Sequence, residues 1–585
     1  IAARTNAAVG SGIPFKEQAV LCKANDRLAD VAAGLESRGI PVLYLGPLFD
    51  RPEIKEALSF LSLLTDPRAM GLACVATIPE FEMLIDDLSV CAERLATGDK
   101  PDPLEWKTRL SNSTNLTPNG QGALQSIINA LNGLSERSTP WRAFASIYLD
   151  NTNLVRELFK QAQDGKSLPA IALWQFQNFL RSVRVDGEGY PVTLILDHIR
   201  RLVILSDERD LRDLPAAAQS LNAVRLMTIH GSKGLEFKMV HLPSLTSRSM
   251  PSASRQTSPA PPDGMIDGPI HSGKGAVRAG HDEEQECLFF VALSRAEDEL
   301  VMYSYNNRSK FIDRIAHKLD FPGQLAVTQE NATNEKTVGV AFETPLTITP
   351  SQLALYEKCP RRFLYAHVLK LGGRRTESAF MKMHGAVQKT IDDLVNPEYS
   401  IGSDAELEVL YMRQWDARGP SDHCYASDYE RAGRQLLTYL FKLRQGETPR
   451  SPADFALNLG HAQIVVRPDE CTIDSDGKLI MRRIRTGRQT KKSTDTLDAA
   501  AYQLAVEPTG DFEFVFLSSE ERGSVSMGTT KLNNRRRQIE EATQAIRTGS
   551  FPASPKQPAR TCPRCPYFFI CTDAPSGELS KKTLN

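Results

Sequence analysis

The sequence predicts an α/β protein of two α/β domains, the first interrupted by a long helical insert, and three observations carry that prediction. Short apolar runs alternate with helical periodicity near the start, strand-like text returns after residue 210, and a second set of strands and helices follows a polar break. The expected segments are 1–67 and 211–321 for the first α/β domain, 68–210 for the insert, 322–345 for a linker and 346–585 for the second domain. Ala19–Cys22 and Val42–Leu45 read as buried strands. Between them Leu28, Val31, Ala32 and Leu35 recur at helical spacing, and Gly39 is placed to stop that helix. Pro52 stands where the next helix would begin, with Ile54, Leu58, Leu61 and Leu64 as its apolar stripe.

From 68 to 210 the text is helical in period and carries no visible chemistry. Phe81, Leu84, Ile127, Leu131, Leu173, Phe176 and Phe179 read as its core. Strands resume at Val224–Thr228, Met239–Leu242 and Leu300–Tyr303. Residues 246–281, rich in Ser, Pro and Gly, read as a long loop, and Glu283–Ala296 as an amphipathic helix. Beyond the linker, Ser351–Leu371 and the segment around His384, Val387, Ile391 and Leu394 read as helices. Ile464–Val466, Leu479–Arg485 and Phe512–Leu517 read as strands, and Lys531–Thr548 as a basic helix.

At 585 residues the chain is too long for one core. Its formal net charge of −1 excludes a global basic signal, so contact with nucleic acid must come from local patches. No apolar run is long enough to span a bilayer and no signal peptide opens the chain, so the expected location is cytoplasmic with no membrane partner. Ten cysteines are too sparse for a disulfide scaffold, and Cys22, Cys74, Cys91, Cys287, Cys424 and Cys471 read as isolated structural thiols. The chain opens on Ile1 rather than Met, inside a domain, and reads as a fragment or a truncated frame.

Residues 224–237 join an apolar strand to a glycine-punctuated turn that holds a lysine and a glutamate, a device able to grip a phosphate. Glu283–Ala296 follows as a helix with an arginine near its end. The phosphate loop Gly-x-x-x-x-Gly-Lys-Ser/Thr is nowhere in the chain. Ser272-Gly273-Lys274-Gly275 lacks both the upstream glycine at the required spacing and the hydroxyl residue after lysine.

The two stretches resemble motifs V and VI of UvrD/Rep-type superfamily 1 DNA helicases. The resemblance extends over roughly 14–310, with Gln18–Ala33 similar to the motif IV segment and Gly46–Lys55 to the stretch after it. It implies a RecA-like parallel-sheet domain (2A) with a helical 2B insertion. Taken alone Arg295 is a surface helix arginine. In this setting the resemblance makes it the group that reaches the ATP γ-phosphate, where a guanidinium stabilises charge developing during hydrolysis. Glu236 is implied as the ribose contact, and Lys23 stands in the place of the motif IV arginine. Cys22 stands where an aromatic residue would stack on adenine, and Phe290 and Ser294 where Tyr and Thr are common. Thr228, His230 and Lys233 are implied as contacts to the DNA backbone. ATP with Mg²⁺ is the implied cofactor, once the absent 1A domain supplies the Walker A lysine. The implied partners are DNA, mainly single-stranded, and either a helicase–nuclease partner subunit or the missing 1A domain.

Cys562, Cys565 and Cys571 pack three thiols too tightly for chance, and three thiols at one place want a metal with a fourth ligand, zinc or an iron–sulfur cluster. Cys359 is the obvious fourth. This spacing resembles the [4Fe–4S] clamp of RecB/AddB-like PD-(D/E)XK nucleases, over about 346–575. By that resemblance His384 is the nuclease helix histidine, with Phe380 where a glycine is usual. Asp469 is the first acidic residue, and Arg483-Ile484-Arg485-Thr486-Gly487 replaces the family's approximate Asp-Tyr-Lys-Thr-Gly. Asp498 replaces a usual glutamine and Tyr502 is retained. Strand alternation puts 483 and 485 on one face, where two guanidiniums repel Mg²⁺ and cannot ligate it. The site therefore reads as a degenerate nuclease site that does not cut. Arg482, Arg483, Arg485, Arg488, Lys491 and Lys492 form a basic run suited to DNA phosphates or to a solvated hairpin. The whole reads as the C-terminal portion of an ATP-dependent 3′–5′ DNA helicase of repair or recombination. The alternatives are a DNA-binding scaffold subunit of a two-subunit helicase–nuclease and a decayed gene.

Overall fold

The computed structural model describes residues 1–585 except 97–101, 114, 164–166, 186–187, 190, 206–210, 212–217, 219, 255–258, 306, 322–337, 343, 373–377, 397–400, 446, 451–452, 474–476, 491, 508, 557, 583 and 585. Most of the expected linker 322–345, part of the loop 246–281 and Lys491 lie outside the described residues. The chain forms two compact units, Ile1–Ala57 with Arg137–Asn331 and Leu58–Glu136 with Ala332–Asn585. The stretch 68–210, expected as one insertion, is thus divided, 68–136 falling in the second unit and 137–210 in the first.

The first unit is built on a five-stranded sheet. Its strands are β1 (Gln18–Cys22), β2 (Val42–Leu43), β3 (Val224–Thr228), β4 (Phe237–Leu242) and β5 (Ala296–Met302), in the order β2-β3-β1-β4-β5. All neighbours run parallel. Central β1 is buried along its whole length, which is why Gln18–Cys22 reads as an unbroken apolar run with one buried glutamine. Helix α1 (Asn25–Glu36) crosses from β1 to β2, and Gly39, at φ +71°, takes the left-handed turn that ends it. Helix α2 (Gly273–Leu293) buries Gln285, Leu288, Phe289 and Ala292, a stripe at helical spacing. The apolar members join Leu21, Val240 and Phe311, the last on helix α3 (Lys310–Ile315), in one core cluster.

Three expectations for this unit change. The loop 246–281 ends early, because Ser272 caps the Gly275 amide and α2 begins at Gly273. A Cβ at Gly273 would meet the Pro261 carbonyl oxygen at 2.1 Å, so the backbone approach there requires glycine. The strand expected over Val42–Leu45 is only two residues long, and β4 and β5 begin earlier than expected, at Phe237 and Ala296. Phe176 and Phe179 are core as expected, meeting Phe49 edge-on at ring-centroid separations of 6.5 and 5.5 Å.

The second unit carries another five-stranded sheet, β6 (Thr448–Arg450), β7 (Glu470–Ile473), β8 (Leu479–Arg485), β9 (Asp511–Phe516) and β10 (Glu521–Ser524), in that order. Only β8 and β9 run parallel. Its helices include α4 (Pro350–Lys358), α5 (Ala379–Val395), α6 (Leu497–Val506) and α7 (Thr529–Arg547). Ile464–Val466 is a strand as expected but belongs elsewhere: Ala462–Val466 pairs with Phe455–Asn458 and Leu346–Ile348 in a separate three-stranded sheet. The helix expected over Ser351–Leu371 is broken. Cys359 is extended, at φ −167° and ψ 109°, because Pro360 disfavours the helical region for the residue before it.

Helical residues from 58 onward pack on the end of the chain in this unit. The Ser59 hydroxyl donates to the Phe569 carbonyl at 3.1 Å, and the Ile85 amide to the Ser576 carbonyl at 2.9 Å. Phe81, Ile127 and Leu131 are buried there, but Leu84, expected in the core, is 40% exposed. Its position, the residue before Ile85–Ala96, faces outward at the helix start. Among the described residues no helix is long and apolar enough to cross a membrane.

Candidate functional site

In the first unit the turn after β3 is organised by its own side chains. The Thr228 hydroxyl accepts the Gly231 amide at 3.1 Å, and the Ser232 hydroxyl donates to the Ile229 carbonyl at 2.8 Å. Gly234 sits at φ +84°, a conformation that suits glycine. His230, Lys233 and Glu236 are exposed along this turn, with Ser232 buried beneath them. Thr228 therefore shapes the loop, while His230 and Lys233 present their donors to solvent.

Arg295 joins this turn at its far end. Its Nη1 donates to the Leu235 carbonyl at 3.0 Å, its Nε to the Val291 carbonyl at 3.1 Å, and its Nη2 to the Ser294 hydroxyl at 2.9 Å. The Arg295 carbonyl in turn accepts the Phe237 amide at 2.9 Å. Two hydrogen bonds thus flank Glu236, so Arg295 and Glu236 share one edge at the starts of β4 and β5.

Lys23 lies elsewhere. It follows β1 at the carboxyl end of the sheet, and its ammonium donates to Ser252 Oγ and Gln285 Oε1, both at 2.5 Å. Burial lowers its pKa, against the pull of Glu284. Gln285 precedes Arg295 by ten residues along α2 and its end, about 15 Å of helical rise. Lys23 therefore meets α2 near its middle, and Arg295 lies just past its carboxyl end. Gln285 and Ser252 were not foreseen from the sequence. Gln285 did carry a signal, since a glutamine on the apolar stripe 285, 288, 289, 292 needs a buried partner.

In the second unit the alternation expected along β8 holds, and each guanidinium meets a carboxylate. Arg483 binds Asp469 Oδ1, while Asp469 Oδ2 accepts the Ile484 amide at 2.6 Å. Arg485 donates to Asp498 at 2.6 Å and lies 3.9 Å from the Phe514 ring centroid. Burial raises the pKa of Asp469, and Arg483 opposes that rise. Tyr502 stacks on Phe512 at 4.3 Å, and burial raises its phenol. His384 stands apart from these pairs. It lines a groove of about 800 Å³ with Phe380, Thr486, Gly487 and Arg488, its ring 4.2 Å from that of Phe380, and burial lowers its pKa.

Arg482 points to the other face and corrects the reading of 482–492 as one basic surface. Its side chain is fully buried, donating to Glu513 at 2.5 Å and to Glu447 at 2.7 Å, with Glu470 3.5 Å away. Burial opposes its charge, yet the hydrogen bonds of Glu447 and Glu513 leave its pKa above the ordinary arginine value. The sequence signal was cross-strand pairing: Glu470 and Glu513 stand opposite Arg482 on β7 and β9.

The cysteine segments are brought to one region of this unit. The Lys556 amide donates to the Lys358 carbonyl at 3.0 Å, and Arg361 reaches the Phe551 and Thr572 carbonyls at 2.8 and 2.7 Å. Cys359 is buried at the helix break, and Cys562, Cys565 and Cys571 are half-buried. Among the described residues no group of three or more His, Cys, Asp or Glu is placed to hold a metal ion. At the Asp469 site both carboxylate oxygens accept hydrogen bonds from β8.

Residues 121–307 match the family profile of the UvrD-like helicase C-terminal domain, and residues 347–572 match that of the PD-(D/E)XK nuclease superfamily. A helicase-type domain and a nuclease-fold domain are thus joined in one α/β chain. Among curated proteins it is similar to the A component of the ATP-dependent helicase/nuclease of Streptococcus mutans, 26% identical over 341 residues, covering 52% of this chain and 28% of that protein. The protein of the same name from Geobacillus thermodenitrificans is 25% identical over 323 residues, covering 51% and 25%. The ATP-dependent DNA helicase PcrA of Bacillus subtilis is 21% identical over 306 residues, covering 50% and 37%. The chain is similar to these helicases and helicase–nuclease components, and spans about a quarter to two-fifths of their length.

Proposed function

We propose that this chain is the C-terminal portion of an ATP-dependent 3′–5′ DNA helicase of DNA repair or recombination, and that its nuclease-like domain does not cut. The observation that carries the motor reading is the pair of hydrogen bonds that places Arg295 beside Glu236. A guanidinium and a carboxylate on one edge suit the γ-phosphate and the ribose of one nucleotide. His230 and Lys233, exposed on the turn that leads to this edge, suit DNA phosphates. ATP hydrolysis with Mg²⁺ also needs a Walker A wall, which this sequence lacks, so a 1A domain completes the site from elsewhere in the polypeptide or from a partner subunit.

The silent-nuclease reading rests on Asp469 and Asp498. A guanidinium occupies each carboxylate, where cleavage would need a metal ion and a lysine. Incubation with Mg²⁺ or Mn²⁺ is expected to leave linear and single-stranded DNA intact. Cleavage that disappears in Asp469→Ala would overturn this reading.

A second reading, a DNA-binding scaffold subunit whose partner performs hydrolysis, is favoured by Lys23, whose ammonium is taken up by Ser252 and Gln285. DNA-stimulated ATP turnover by the assembled enzyme separates the two: loss of turnover in Arg295→Ala supports the motor, unchanged turnover the scaffold. The [4Fe–4S] reading rests on the spacing of Cys359, Cys562, Cys565 and Cys571 and on the convergence of their backbone segments. Iron and acid-labile sulfide in anaerobically purified protein test it, and stoichiometric zinc would replace it.

A further inference from the structure

We propose that the groove at the start of α2 binds phosphates of a DNA strand, at a site separate from the turn 228–236 and from the Arg295 edge. The groove has a volume of about 580 Å³ and is lined by Lys274, Arg278 and Lys310 together with Ser247, Ser252 and Ser254. Lys274 and Arg278 are four residues apart on α2 and so share a face, while Lys310 comes from α3. Three cations thus converge from two elements. Among the described residues none of the three has an ion-pair partner, and Lys310 meets only the Phe311 ring, at 5.8 Å. Asp282 is the one carboxylate among the described lining residues, so the lining keeps two net positive charges.

Like charges gathered without compensation are unfavourable until an anion or solvent screens them, and cations with hydroxyl donors suit phosphate oxygens. The dipole of the 21-residue α2, which starts in this groove, has the same sign. None of the described lining residues is aromatic, so nothing there would stack a base. That favours the repeating phosphates of a strand, read without sequence, over a nucleotide pocket. Ser252 lends the groove a further consequence, because its hydroxyl also receives the Lys23 ammonium. A phosphate that accepts the Ser252 proton, now directed at Gln285 at 3.5 Å, leaves the same oxygen accepting from Lys23, so strand occupancy and the motif IV position share one hydroxyl.

This proposal rests on the DNA-handling reading of the chain, and the test separates the two. The whole chain is titrated with a fluorescent single-stranded oligothymidine at several salt concentrations, alongside Lys274→Ala/Arg278→Ala/Lys310→Ala. The three side chains are exposed, so the variant should keep the parent's circular dichroism and melting. Expected are an affinity loss of at least about fivefold and a salt slope smaller by about 2, from three contacts at about 0.7 each. Lys274→Arg/Arg278→Lys/Lys310→Arg should restore both. Unchanged affinity and slope in a chain that binds DNA would overturn the groove while sparing the general reading. A chain that binds no DNA at all would overturn the strand proposal along with the DNA-handling reading. Titration with tripolyphosphate would then show whether the groove takes a free polyphosphate instead, by binding to the parent and not to the triple variant.

Discussion

Arg483 lies on Asp469, and the same carboxylate accepts the Ile484 amide at 2.6 Å, so both of its oxygens are committed to β8. A divalent cation would have to displace a guanidinium that cannot follow it into coordination. We expect no Mn²⁺ uptake by the parent protein in calorimetric titration. Arg483→Asp combined with Arg485→Lys should gain Mn²⁺ binding, and adding Asp469→Ala should remove it. Tight Mn²⁺ binding by the parent would mean that Arg483 gives way to a metal ion.

Arg482 serves three carboxylates at once, Glu447, Glu513 and, at 3.5 Å, Glu470, the last shared with Arg444. Arg482→Met keeps the volume but leaves buried carboxylates short of a partner. We expect a loss of about 3–5 kcal/mol, as when one member of a buried pair is removed. Urea unfolding followed by circular dichroism measures it, and a neutral result would mean that the network merely breaks even.

At the Arg295 edge, the predicted effect falls on the chemical step. On the motor reading proposed above, Arg295→Ala should lower kcat for ATP by about 10³ or more, the range of a guanidinium that stabilises the transferring phosphoryl group. KM for ATP should move far less. An increase in KM with kcat preserved would make Arg295 a ground-state contact instead.

His241, on β4, is fully buried between Thr5 Oγ1 at 3.3 Å and the Tyr303 hydroxyl at 3.0 Å. Burial, with Arg4 adding to it, pushes its pKa down from 6.5 to about 4. Between those values the unfolded chain binds the extra proton, so stability is full above about pH 6.5 and falls as the pH drops toward 4. The integrated effect is on the order of 3 kcal/mol. Melting temperature against pH should flatten in that window for His241→Gln, and an identical profile in the variant would contradict the assignment.

Much of the fold was legible because it is written locally. The stripe 285, 288, 289, 292 and the apolar run Ala19–Cys22 are patterns that helix and strand geometry impose on neighbouring residues. The glycines at 39 and 234 mark left-handed turns for the same reason. Element ends were less legible. The break at Cys359 was available from Pro360, but the start of α2 at Gly273 was hidden in text rich in Ser, Pro and Gly.

The sequence by itself determined the α/β class and the presence of two α/β domains, and it named the residues proposed for the helicase and nuclease-like sites. Only the tertiary structure decided which of those residues meet. Lys23 finds Gln285 across 262 residues of chain, Asp469 is claimed by Arg483, and residues 58–136 fold with the second unit. The physical reason is range. Periodicity and turn chemistry act over a few bonds, whereas a buried ammonium, guanidinium or carboxylate takes whichever opposite or polar group the completed core brings within about 3 Å.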